Sequence, residues 1–231
     1  MCCGSQSSQS SGPSGNRGTL VLLHFQSSVL NFCLKLMRSK TQKPPVAVPN
    51  THDTTRQALL AAAGEIFAET GFHASTIRSI SNHARANVAA IHYHFGDKET
   101  LYLEVLRFAQ TYALSKYPAD MGISAQASPE EKLKAFVRAF LLRIFDKGPF
   151  AWHARLIARE MIDPTPALNT VVKEKILPQS RQLMGIVAEL LHADPTDERV
   201  RNCAMSVVSQ ALFYHHCRPV VERLFPRMKF S

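Results

Sequence analysis

Cysteine is scarce and badly placed for structural work. The five residues, Cys2, Cys3, Cys33, Cys203 and Cys217, include no C-x-x-C pair, which argues against a structural zinc site or a disulfide framework. Cys203 and Cys217 fall on one expected helix, where their separation of about 21 Å is too large for an intrachain bridge. Reduced cysteines and a cytoplasmic location are the plain expectation. No glycine-rich phosphate loop, alternating strand pattern or internal repeat is present. No cluster fixes a nucleophile beside its base, so an enzyme is not expected, and neither is a cofactor. Long apolar runs are also absent. "TLVLLHFQSSVLNFCLKLM" comes nearest, but His24, Gln26, Ser27, Ser28, Asn31 and Lys35 interrupt it short of the roughly 18 residues a membrane span needs.

What is present is a globular balance, with 45% apolar and 19% charged residues in a chain of 231. Charge is uneven. Residues 1–50 carry five basic and no acidic residues, so they hold five of the nine net positive charges and leave +4 for the rest. Nucleic-acid binding therefore has to be argued from local placement, not from the total. The stretch "GSQSSQSSGPSGNRG" has the composition of a flexible lead, and "KPPVAVPN" that of a proline-stiffened linker. Translation is expected to begin naturally at Met37. Residues 1–50 are thus read as an extension and linker, 51–112 as one domain and 113–231 as another.

From Asp53 onward the pattern is helical. Leu59, Ala62, Ala63, Ile66 and Phe67 share a face, Asp53 or Thr54 can cap the start, and Gly71 can end it. A short helix follows Ser75 or Thr76. A turn near Arg85 leads to another, whose Val88 and Ile91 point inward, so that three short helices make a helix-turn-helix pattern. Longer helices are expected at 98–117, from Ser128-Pro129, over "FAWHARLIAREMI", and at about 166–192 and 196–217. The fold class is all-α: a three-helix N-terminal unit followed by a larger helical bundle.

The run "LLAAAGEIFAETGFHASTIRSISNHARANVAAIHYHFGDKETLYLEVL" resembles the DNA-binding domain of TetR-family transcriptional regulators, over about residues 53–106. Gly71-Phe72, Thr76, Ile80, Phe95, Lys98, Glu99 and Leu101 agree with that pattern in order and spacing. The resemblance implies that Thr76, Arg78, Asn87, Ala90, His92, Tyr93, His94 and Lys98 face double-stranded DNA. Arg78 suits guanine readout, because a guanidinium can bond O6 and N7 together. His92 and His94 lie about 200° apart around a helix and so do not converge on a metal. Tyr93 has an alternative reading as a core aromatic, and Phe95 is assigned to the core. Where the family usually has a turn glycine, this chain has Arg85, which enters a left-handed conformation at some cost.

Beyond the head, "REMIDPTP" and the helices after it resemble the C-terminal domain of the family's CecR-like branch. That resemblance implies a homodimer, a small-molecule effector, and repression of neighbouring efflux or detoxification genes. Trp152, His153, Arg155, Arg159, Glu160 and Tyr214 are candidate ligand residues, with ordinary ion pairing of Arg159 and Glu160 as the alternative. The stripe Val200, Cys203, Ala204, Val207, Val208, Ala211, Leu212 and His215 is either a subunit seam or an intrachain core. A helical scaffold without specific DNA recognition is the competing function.

Overall fold

The computed structural model describes residues 51–226, with the side chains of residues 51–54, 214 and 218 left aside. The expected Met37 start, the apolar segment, the linker and the Asp53 or Thr54 cap therefore lie outside the described residues or side chains. The described residues form ten α-helices, with one π-helical segment and no strand. The head comprises α1 (Thr51–Ala74), α2 (Ile77–Ala84), α3 (Val88–Phe95) and the start of α4 (Lys98–Lys116). Then come α5 (Pro129–Ile144), α6 (Trp152–Ile162), α7 (Ala167–Val171), α8 (Leu177–Leu191), α9 (Glu198–His216) and α10 (Arg218–Leu224).

Local chemistry sets the boundaries. At Gly71, φ 85° and ψ 169° break α1, a conformation glycine adopts freely. Thr76 and Ser79 form a reciprocal capping box at the start of α2, and Ser128 and Glu131 form one before α5, where Pro129 occupies the first turn. Asn87 caps α3 and Asp97 caps α4 through their side-chain oxygens. The helix expected over about 166–192 is present as α7 and α8 joined by the π-helical segment Val172–Ile176. Pro178 explains the join. It has no N–H to donate back, and the ladder widens just ahead of it, with Leu177 N–H bonding Val172 O.

Two cores result. In the head, Leu59, Ala63, Phe67, Ile80, Ile91, Phe95, Leu101, Tyr102 and Val105 pack together. The same cluster takes in Trp152, Leu156 and Val171, so the C-terminal half completes the core of the N-terminal half. In the bundle, Leu133, Phe136, Val137 and Leu141 of α5 meet Leu183 and Val187 of α8 and Val200, Ala204, Val207 and Ala211 of α9. The α9 stripe is therefore an intrachain core face. Val88 differs from expectation: it is 36% exposed, because the first turn of α3 projects past the core that Ile91 and Phe95 reach.

Candidate nucleic-acid interface and effector region

The candidate interface builds from two helix starts and one helix end. Thr76 Oγ1 accepts from Ser79 N–H at 3.0 Å while its residue stays exposed, at the positive end of α2. Arg78, in that first turn, is exposed. At the start of α3, Asn87 Oδ1 accepts from Ala89 N–H at 2.9 Å, which leaves the amide NH2 as a donor. Helix ends of this kind are ready contacts for backbone phosphates. Ala89 is exposed, and Ala90 is half-buried against the head's core.

Along α3, Tyr93 is 76% exposed, which removes the core-aromatic alternative. His92 is exposed and its Nδ1 lies 2.6 Å from Gly96 O, a bond that makes Nδ1–H the donor and directs Nε2 away from the helix end. His94 is half-buried, its ring edge-on to Tyr93 at 5.1 Å. Phe95 is buried, with the Arg56 guanidinium 5.2 Å from its ring centroid. Lys98 has a busier role than spacing alone indicates. Its ammonium donates to Phe72 O at 3.0 Å and Ser75 O at 3.2 Å, and sits 4.4 Å from the Phe72 ring centroid. It ties α4 to the α1–α2 link, and these two bonds use two of its three N–H donors. Arg85 holds φ 51° and ψ 39°, left-handed, and its N–H closes α2 onto Asn82 O and Ser81 O.

The six candidate effector residues divide. Trp152 is buried in the head's core, over Gly64, where an added Cβ would lie 2.3 Å from the indole ring. Arg155 is exposed. Arg159 donates through Nε to Ala68 O at 2.9 Å and through Nη2 to Glu69 O, filling carbonyls left open where α1 breaks at Gly71. Glu160, almost fully buried, accepts from Tyr102 Oη at 2.5 Å and from the Thr165 N–H and hydroxyl at 3.2 Å. Burial, then this carboxylate, push the Tyr102 phenol far above its usual range. Arg159 and Glu160 thus each reach across to the head instead of to one another. The Tyr214 side chain lies outside those described.

His153 is different: its Nε2 is buried and finds no hydrogen-bond partner among the described residues. Burial first, then the charge of Arg143, push its pKa down to about 4, so the ring is neutral at pH 7. Near it, Lys116 Nζ bonds both Asp146 oxygens at 2.8 and 2.9 Å, and Tyr117 Oη donates to Asp146 Oδ1 at 3.3 Å. Sequence reasoning missed Arg143. The signal was there, since Arg143 stands three residues after Phe140 and seven after Phe136, on the apolar stripe of α5. A separate open hollow of about 660 Å³ is lined by Met121, Ile123, Glu131, Lys134 and Arg138, among others, and includes none of the six candidates. Among the described residues no group of acidic, histidine or cysteine side chains is set to hold a metal, and no helix is long and apolar enough to cross a membrane.

A capped helix pair presenting exposed polar and aromatic groups, backed by a helical bundle, defines a helix-turn-helix protein with a companion domain. Residues 59–105 match the bacterial regulatory proteins of the tetR family, and residues 129–230 match the C-terminal domain of the HTH-type transcriptional dual regulator CecR. The chain is 33% identical over 172 residues to the HTH-type transcriptional repressor NicS of Pseudomonas putida, covering 72% of this chain and 78% of that protein. It is 28% identical over 159 residues to CecR of Shigella flexneri, covering 64% and 70%. Among solved structures, a tetR-family regulatory protein from Rhodococcus RHA1 shares the fold with a TM-score of 0.57 at 20% identity, covering 70% of this chain and 83% of that one. PfmR from Thermus thermophilus does so with a TM-score of 0.54 at 19% identity, covering 72% and 85%. The chain belongs to the TetR family and, by its C-terminal domain, to the CecR-like branch. It is a transcriptional regulator, as its relatives are.

Proposed function

We propose that the protein is a cytoplasmic, homodimeric repressor that binds an operator through residues 51–112 and releases it when a small molecule enters residues 113–231, with adjacent efflux or detoxification genes as targets. The observation that carries this reading is the exposed row Thr76, Arg78, Asn87, His92 and Tyr93, on α2, α3 and the caps that open them. The name of NicS as a repressor supports the sign of regulation, and a fold neighbour from Saccharomonospora viridis in complex with choline supports a small-molecule effector. Helix α6 is the coupling element in this proposal. His153 stands in its first turn inside the bundle, and Arg159 and Glu160, about 10 Å further along, grip α1 and α4 of the head. A ligand that favours one position of α6 then shifts the head, provided it binds the two positions unequally.

The test is a gel shift with the DNA upstream of the protein's own gene, over a range of salt and against competitor DNA. Selective binding is expected. Arg78→Ala should weaken operator binding by about 1–3 kcal/mol, whereas Lys98→Ala should weaken operator and competitor alike. Equal affinity for operator and competitor in the parent protein would instead identify a scaffold without DNA specificity.

A further inference from the structure

Arg143 is 5% exposed, within the bundle, at the end of α5. One of its terminal nitrogens, Nη1, donates to Tyr117 O at 3.2 Å, and its guanidinium lies 5.9 Å from the Phe140 ring centroid. The other, Nη2, is buried with no partner among the described residues. Asp146, three residues further along the chain, bonds Lys116, Tyr117 and the Gly148 N–H instead. Burial pushes the guanidinium pKa down to about 10, with no carboxylate among the described residues holding it up. The cluster of Lys116, Asp146, Arg143 and neutral His153 therefore buries one uncompensated positive charge. Burying such a charge is costly, and leaving its donor unmet adds to the cost.

A second buried, unpartnered nitrogen, Nε2 of His153, lies within range of that charge. It belongs to the first turn of α6, a helix start with no side-chain cap, so the positive end of that helix adds to the same field. Two unpartnered nitrogens from different helices, with a single net positive charge, match one acceptor group carrying a single negative charge. We infer that Arg143 and His153 form the receiving site for a small monocarboxylate, whose oxygens satisfy Nη2 of Arg143 and Nε2–H of His153. Phe140 beside the guanidinium favours a carboxylate with an apolar body. The inference rests on reading the bundle as the effector-responsive part, and names the chemical class of its effector.

Thermal unfolding of the full chain tests it with sodium benzoate, with benzamide as the uncharged counterpart, and with sodium chloride at matched ionic strength. Saturating benzoate is expected to raise Tm by about 5 °C, and the two controls to leave it unchanged. Arg143→Met should lose the benzoate response while melting no lower than the parent without ligand, because it replaces an unpaired buried cation with an apolar chain. Arg143→Gln, uncharged and similar in reach, serves if that variant does not fold. No rise with benzoate in the parent, or an equal rise in the Arg143 variants, overturns the site. The readout needs no DNA, so the two readings fail separately. A missing benzoate response with selective operator binding intact rejects the carboxylate site alone, and a benzoate response in a chain that binds all DNA alike rejects the proposed operator recognition alone.

Discussion

At Arg85 a charged residue occupies the left-handed turn between α2 and α3, with φ 51°. A side chain with a Cβ is strained there by about 1 kcal/mol relative to glycine, and nothing in the backbone bonding offsets the strain, because glycine would make the same N–H contacts to Asn82 and Ser81. The side chain is exposed on the turn that leads into α3, where a phosphate contact would repay it. Arg85→Gly should therefore stabilise the free protein by about 0.5–1 kcal/mol, measured as a higher urea midpoint with an unchanged slope. The same variant should bind its operator more weakly and with a salt dependence shallower by about one ion. A stabilised variant with the parent's salt dependence would leave Arg85 with no DNA role.

Among the elements, α6 does most to join the halves, and it packs on α1 through the smallest possible contact. Gly64 has no Cβ, and the Trp152 ring occupies the place where one would be. Gly64→Ala must push α1 and α6 apart, because the indole is enclosed in the core and has no room to turn. A loss of about 1–3 kcal/mol is expected in equilibrium unfolding, despite alanine's better helix propensity. A more stable alanine variant would show the contact to be soft. This junction also marks where sequence legibility ended. The helices were readable because their signals are local: the Thr76 and Ser128 caps, the Gly71 break, the stripes of α1 and α5. The apolar face of α9 was readable too, but not its partner, since a stripe looks alike whether it packs on α5 and α8 or on a second copy. Arg159 and Glu160 read as an adjacent opposite-charge pair. Apart from Thr165, five residues on from Glu160, their partners are Ala68 O, Glu69 O and Tyr102 Oη, dozens of residues away, and spacing carries no trace of them. Lys98 is a milder case, its place in the motif legible and its bonds to Phe72 O and Ser75 O not.

For the whole molecule, the question is what α9 presents outward once Val200, Ala204, Val207 and Ala211 are spent on the chain's own core. Its outer side carries Met205, 63% exposed, and Phe213, 51% exposed, and α10 adds exposed Val220 and Leu224. Large apolar groups gathered on adjoining elements mark an association surface more often than isolated ones do. The proposed dimer therefore uses the outer face of α9, not the small-residue stripe. Two heads held together can meet half-sites about 34 Å apart, and the second head then binds at high effective concentration. Met205→Glu places a charge in that seam. It should yield a monomer in sedimentation velocity, with the fold intact, since an exposed substitution changes the stability of one chain by about 0.5 kcal/mol or less. Operator affinity should then fall by about two orders of magnitude or more, while affinity for a single half-site stays near that of the parent. A Met205→Glu chain that still sediments as a dimer would place the seam elsewhere. A monomer that binds the full operator as tightly as the parent would show that one head suffices.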